Sequence, residues 1–166
     1  MNQNVAPSAE DQFDEETSRQ IEAVYLTPDV ATQRDKVLAM LAPRAGEKAL
    51  DIGCGPGLTT QALAQKIGTT GKVIGVDIAA PMLAIALRRC ENLPQVSFEQ
   101  CDILSMPYDT ASFDIALATQ VYEYVEAIDA ALIELARVVR SGGRVLLVDT
   151  DWESCVWASS DDTRMR

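Results

Sequence analysis

Apolar and polar positions fall in blocks along this chain, and the length of each block predicts an element. The first 16 residues are polar and acidic with few large apolar groups. Such a composition cannot bury enough surface to offset the entropy of ordering, so residues 1–16 read as a mobile tail. From Thr17 the pattern turns helical, with Thr17 and Gln20 at capping-box spacing. Thr27, Pro28 and Asp29 then supply an N-cap, a first helical position and an acidic first turn for a second helix. Val30, Val37, Leu38 and Leu41 share one face of it, and Pro43 stops it.

Beyond Pro43, short apolar runs alternate with helical stretches. KALDIG, KVIGVD, QVSFEQ, FDIALAT and RVLLVD read as five strands. Between most of them lie helices: LTTQALAQKIG closes at Gly68, and PMLAIALRRC opens near Pro81. EAIDAALIELARVVR lines up Ile128, Leu132, Leu135, Ala136 and Val139 in one stripe before an SGG turn. Strands that are apolar on both faces and joined by crossovers imply an α/β fold, a doubly wound and mostly parallel sheet with helices on both faces. The division is then a tail 1–16 and one domain 17–166, made of N-terminal helices 17–42, a core 47–150 and a C-terminal part 151–166.

Composition narrows the chemistry. At 166 residues with 48% apolar content, the chain can build a core without disulfide staples. A formal charge of −11 opposes phosphate backbones and anionic lipid, so nucleic acid is not an expected partner. There is no histidine, and Cys54, Cys90, Cys101 and Cys155 lack CxxC spacing, so no metal site is expected. No export signal and no run of roughly 18 to 20 apolar residues is readable, which predicts a cytoplasmic protein without a membrane span.

The informative stretch is ALDIGCGPGLTT, residues 49–60, where a strand leads through Gly53, Gly55 and Gly57 into a helix. Such a turn brings bare backbone close to a ligand and aims the N–H groups of the next helix at it. About twenty residues on, at the end of the next strand, Asp77 can accept hydrogen bonds from both hydroxyls of a ribose. A dinucleotide fingerprint needs G-x-G-x-x-G, but the spacing here is G-x-G-x-G with Leu58 in the position of its third glycine. A nucleotide-binding oxidoreductase is the weaker reading on that ground.

Asp51, the string D-x-G-x-G-x-G and the downstream Asp77 together resemble class I S-adenosylmethionine-dependent methyltransferases, whose fold is Rossmann-like. CDILSMPY, FDIALATQVYEYV and ELARVVRSGGRVLLVD continue the resemblance from about residue 30 to 150, closest to the small-molecule enzymes of ubiquinone and menaquinone biosynthesis. The resemblance implies S-adenosyl-L-methionine as cofactor and a small-molecule methyl acceptor. It puts Gly53, Cys54, Gly55 and Gly57 along the methionine part, with Asp51 near the amino group. Asp77 would hold the ribose, Ile78 would lie along the adenine, Asp102 and Ile103 would address its edge, and Thr119 and Gln120 would close the floor. Tyr25 and the N-terminal helices would form a lid.

No catalytic residue can be singled out. Methyl transfer from a sulfonium needs placement more than acid–base help, and orientation contributes roughly 7 to 11 kcal/mol. For an acceptor that must lose a proton, Glu123, Asp149, Asp151 or a tyrosine are candidates that stay unranked. Tyr122, Tyr124 and Trp152 either orient substrate or simply pack, and Cys54 lacks a neighbouring base. The family's sheet has seven strands, whereas few residues follow RVLLVD, and SSDDTRMR reads as the start of a further helix. The expectation is a missing C-terminal strand pair and an exposed fifth-strand edge, either because the chain is truncated after strand five or because a homo-oligomer or partner chain completes the sheet. In that case the chain would be a cofactor-binding domain, catalytically incomplete by itself.

Overall fold

The computed structural model describes residues 14–151, so the readings placed on residues 1–13, on Trp152, on Cys155 and on SSDDTRMR lie outside the described residues. Helix α1 runs Glu15–Tyr25 and starts earlier than the capping-box spacing predicts. Asp14 is the cap, accepting the Thr17 N–H at 2.8 Å, because a carboxylate caps better than a threonine hydroxyl. Thr17 therefore lies inside the first turn, Gln20 donates to Glu16 at 3.0 Å, and residues 14–16 belong to the helix and its cap rather than to a tail. Helix α2, Pro28–Leu41, begins after Thr27 as expected, but the Thr27 hydroxyl donates back to Val24 O at 2.7 Å and caps nothing. Val37, Leu38 and Leu41 are buried.

Five parallel strands form one sheet in the order β3-β2-β1-β4-β5: β1 Lys48–Ile52, β2 Lys72–Asp77, β3 Val96–Gln100, β4 Phe113–Thr119 and β5 Val139–Val148. Helix α3 (Leu58–Ile67) follows β1, α4 (Ala80–Arg89) follows β2, and α5 (Ile128–Val138) precedes β5. Alternating strand residues feed two cores, one on each face. Val37, Leu38, Leu63 and Ile67 of α2 and α3 meet Ala49, Val73, Ile115 and Leu117 on one side. Ala131, Leu135 and Val138 of α5 meet Leu50, Ile52, Ile74 and Ala116 on the other.

Two sequence expectations need correction. The stripe expected on α5 is displaced: Ile128 and Leu132 are 45% and 38% exposed, Ala136 is exposed, and the face turned to the sheet is Ala131, Leu135 and Val138. This helix is apolar on more than one side, so periodicity alone could not choose the face. The SGG turn is also absent as a turn between elements. Ser141–Gly143 lie within β5, where pairing slips from Phe113 opposite Val139 to Ile115 opposite Arg144, and Gly142 takes φ +73° inside that irregularity.

From β1 the chain steps outward through β2 to β3, then returns across the sheet to β4 on the other side of β1. Ligands of such sheets bind beyond the carboxyl ends of the strands where that reversal occurs, here β1 and β4. The return passes through residues 101–112 without a helix. Arg137 of α5 fixes that segment: it pairs with Glu134 at 2.7 Å and donates to the carbonyls of Tyr108 at 2.6 Å and Met106 at 3.0 Å. Glu134 in turn accepts the Met106 N–H at 2.7 Å.

Candidate cofactor site

The glycine-rich turn leaves β1 at Ile52 and enters α3 at Leu58. Gly53 has φ +61°, and a Cβ there would stand 2.3 Å from Val121 Cγ2, so only glycine lets the end of β4 close on the end of β1. Gly57 caps α3 at φ +77°, where a Cβ would fall 2.8 Å from that of Ala86 in α4. Gly55 differs, since its free side faces only Tyr25, at 3.9 Å. The turn is braced by Cys54 N–H donating to Val76 O at 2.9 Å and Gly57 N–H to Cys54 O at 3.0 Å.

Asp77 closes β2 with its carboxylate set against this turn. Oδ2 accepts the Gly55 N–H at 2.8 Å and Oδ1 the Ala79 N–H at 2.9 Å. Each oxygen keeps a lone pair for a further donor. Burial raises its pKa against the lowering effect of those N–H groups. Asp51 lies deeper, 3% exposed, with Thr60 Oγ1 donating to Oδ2 at 2.6 Å. Burial pushes its pKa up to about 7, opposed by the Thr60 bond and reinforced by the charge of Asp77. Cys54 is buried beside them, and burial followed by the charges of Asp51 and Asp77 holds its thiol well above its usual range, hence protonated.

The remaining predicted residues spread along the same rim. Ile78 is 42% exposed, an apolar surface next to Asp77, with Gln100 Nε2 donating to its carbonyl at 2.8 Å. At the end of β3 the Cys101 N–H donates to Asp77 O at 3.1 Å, which brings Asp102 and Ile103 to the crevice. Asp102 spends one carboxylate oxygen on the Leu104 N–H at 2.9 Å, and Ile103 packs on the α5-side core. Thr119 ends β4, and Gln120 turns the chain with φ +57°, uncommon for a residue with a side chain. Its amide donates to Thr150 Oγ1 at 3.3 Å, tying β4 to the end of β5.

Tyr25 reaches the crevice from the end of α1. Its hydroxyl pKa is raised by burial and then by the charges of Asp77 and Glu123, so the two carboxylates lie around the ring. Sequence reasoning missed what seats α1 there. Arg89 of α4 pairs with Glu22 and donates from Nε to Pro56 O of the glycine turn at 2.8 Å. It also missed Thr60 as the partner of Asp51; no spacing rule marks either residue. Tyr122 and Tyr124 part company, the first 4% exposed in the core and the second 71% exposed. Asp149 accepts the Val121 N–H at 2.9 Å.

A glycine-lined crevice at the switch point of a parallel sheet, with the carboxylate that ends β2 set against the turn, is where an α/β domain of this kind binds its ligand. Residues 50–147, more than half of the chain, match the family model of the methyltransferase domain. The chain belongs to that family, the class I S-adenosylmethionine-dependent methyltransferases, whose cofactor is S-adenosylmethionine. It is 41% identical over 129 residues to an uncharacterized 37.1 kDa protein of transposon TN4556 from Streptomyces fradiae, covering 77% of this chain and 37% of that protein. It is 38% identical over 104 residues to the 2-phytyl-1,4-naphtoquinone methyltransferase of Thermosynechococcus vestitus, covering 63% and 46%. Among solved structures, phosphoethanolamine N-methyltransferase 2 of Haemonchus contortus with S-adenosyl-L-methionine superposes with a TM-score of 0.74 at 25% identity, over 82% of this chain and 33% of that one. The chain thus spans less than half the length of either curated relative. Among the described residues no helix is long and apolar enough to cross a membrane.

Proposed function

We propose that this chain binds S-adenosylmethionine across the ends of β1, β2 and β3 and transfers its methyl group to a small-molecule acceptor held beyond β4. The observation that carries the reading is the Asp77 carboxylate, joined to the Gly55 N–H of the glycine turn while keeping one lone pair on each oxygen. The donor set suits the cofactor: carboxylates favour a sulfonium and an ammonium, and the exposed face of Ile78 suits a base. When bound, S-adenosylmethionine supplies a methyl group on an already activated, positively charged sulfur.

The protein's own part is placement. Asp77 anchors a ribose, Asp51, partly protonated near neutrality because burial raises its pKa to about 7, gains its charge beside a cationic ligand, and Tyr25 screens the crevice from water. Val121, seated on Gly53, sets the depth of the floor. The formal charge of −11 and the naming of a relative as a naphthoquinone methyltransferase both favour a small, largely apolar acceptor over a polyanion. Incubation with methyl-labelled S-adenosylmethionine and separated cell fractions tests this. Label is expected in the small-molecule fraction; label confined to nucleic acid or protein would contradict it.

A further inference from the structure

Glu123 lies in the single 3-10 turn Tyr122–Tyr124 that follows β4. Its Oε2 accepts the Thr150 N–H at 2.8 Å, which fixes the carboxylate from the β5 side. Its Oε1 is buried and has no hydrogen-bond partner. The Tyr124 hydroxyl lies beside this carboxylate, its pKa raised by burial and then by its interaction with Glu123, but no geometry within hydrogen-bonding limits satisfies Oε1. A buried carboxylate oxygen without a donor is a demand the free protein leaves unmet. The residue that turns the chain toward it, Gln120, holds a left-handed φ of +57°, and such conformations gather where a site requires them.

Neighbouring groups do not offer the same. Asp149 gives Oδ1 to the Val121 N–H at 2.9 Å, and Asp51 gives Oδ2 to the Thr60 hydroxyl at 2.6 Å; neither has a carboxylate oxygen buried without a partner. The Tyr122 hydroxyl is also buried and unpartnered, but burial and then Asp149 push its pKa up to about 12, so it keeps its proton and is not available as an anionic base. Glu123 stands two residues after Val121, whose side chain packs on Gly53 of the glycine turn, so it follows directly on the crevice that the cofactor reading assigns.

We infer that Glu123 Oε1 is the proton acceptor of the methyl transfer, and that the acceptor molecule carries an O–H or N–H on, or conjugated with, the atom that is methylated. This rests on the function proposed above. The bond from sulfur to methyl breaks and its electron pair stays on sulfur as a thioether. The acceptor's pair forms the new bond to the methyl carbon, and the O–H or N–H proton passes to Oε1. Where the new bond is to a ring carbon, that carbon's own proton leaves afterwards to water. Acceptors with no such proton, such as thioethers or tertiary amines, are excluded.

The test compares the wild type with Glu123→Gln, which keeps an oxygen for Thr150 and loses the base. Both receive methyl-labelled S-adenosylmethionine and a bacterial small-molecule extract, and their affinity for S-adenosylmethionine is measured in parallel by calorimetry. The expectation is affinities within about twofold and labelling at least about 100-fold slower in the variant, with the new methyl on oxygen, on nitrogen or on a carbon conjugated with a hydroxyl. Equal rates, or a product methylated elsewhere, overturn the inference. Absence of S-adenosylmethionine binding by the wild type removes the functional reading and this inference with it. If the wild type binds the cofactor but labels nothing, the small-molecule acceptor is what fails. Phenol titrated into both proteins loaded with S-adenosylhomocysteine then decides Glu123: about tenfold weaker binding to the variant supports it, and equal or absent binding overturns it.

Discussion

The backbone N–H of Gly55 donates to Asp77 Oδ2 at 2.8 Å, so the glycine turn after β1 and the carboxylate ending β2 form one structural unit. Asp77→Ala removes the brace of the turn and, with it, the proposed ribose anchor. S-adenosylmethionine binding is expected to weaken at least tenfold, about 1.4 kcal/mol, by titration calorimetry. An unchanged affinity would refute the ribose assignment.

Gly53 and Val121 interlock, since a Cβ on the glycine would stand 2.3 Å from Val121 Cγ2 at φ +61°. Gly53→Ala should lose about 2–5 kcal/mol of stability, combining left-handed strain with overpacking. Val121→Ala in the same chain should restore part of that loss, because it opens the space the methyl needs. Strict additivity in a denaturant-based double-mutant cycle would show that the two do not touch in solution.

Asp51 makes stability depend on pH in a defined direction. Its folded pKa of about 7 lies above the unfolded value near 3.9, so between those values the native state binds more protons than the unfolded one. Stability therefore falls as pH rises through that window, and the whole penalty is present above it. Asp51→Asn, which keeps an acceptor for Thr60, should be more stable relative to wild type at pH 8 than at pH 4. Urea unfolding at both values checks this; a difference that does not change with pH counts against the assignment.

Arg137 and Glu134 hold the helix-free return from β3 to β4 through the backbone of Met106 and Tyr108. Arg137→Ala removes the donor to the Tyr108 carbonyl, leaves the Met106 carbonyl with only the Tyr108 N–H at 2.8 Å, and releases the segment that carries Asp102 and Ile103. A drop in Tm of several degrees is expected, with faster amide exchange concentrated in residues 101–112. Uniform exchange across the sheet would point to a global rather than a local role.

How much of this was legible before the structure follows from the range of each interaction. The strand, glycine turn and helix around residues 49–60, and the strand that Asp77 ends, could be placed because their signals depend on spacing within short stretches. The order of elements could be read because strand and helix periods differ. The buried face of α5 could not, since Ile128, Leu132 and Ile133 compete with Ala131, Leu135 and Val138, and contact with the sheet decides. The partners of Arg89, Arg137 and Glu123 were equally opaque, although Glu123 itself stood among the candidate bases. They are Pro56, Tyr108 and Thr150, at 33, 29 and 27 positions' distance along the chain, and in two of the three the residue offers only a main-chain carbonyl, in the third only a main-chain N–H. Backbone groups leave no mark on composition.

The central claim is that the crevice at the ends of β1 and β2 is built for a sulfonium nucleoside rather than a dinucleotide. Calorimetric titration of the wild-type chain with S-adenosylmethionine, and separately with NAD, tests it most directly. Micromolar binding of S-adenosylmethionine with none of NAD is the predicted result. Micromolar binding of NAD with no heat from S-adenosylmethionine would contradict it.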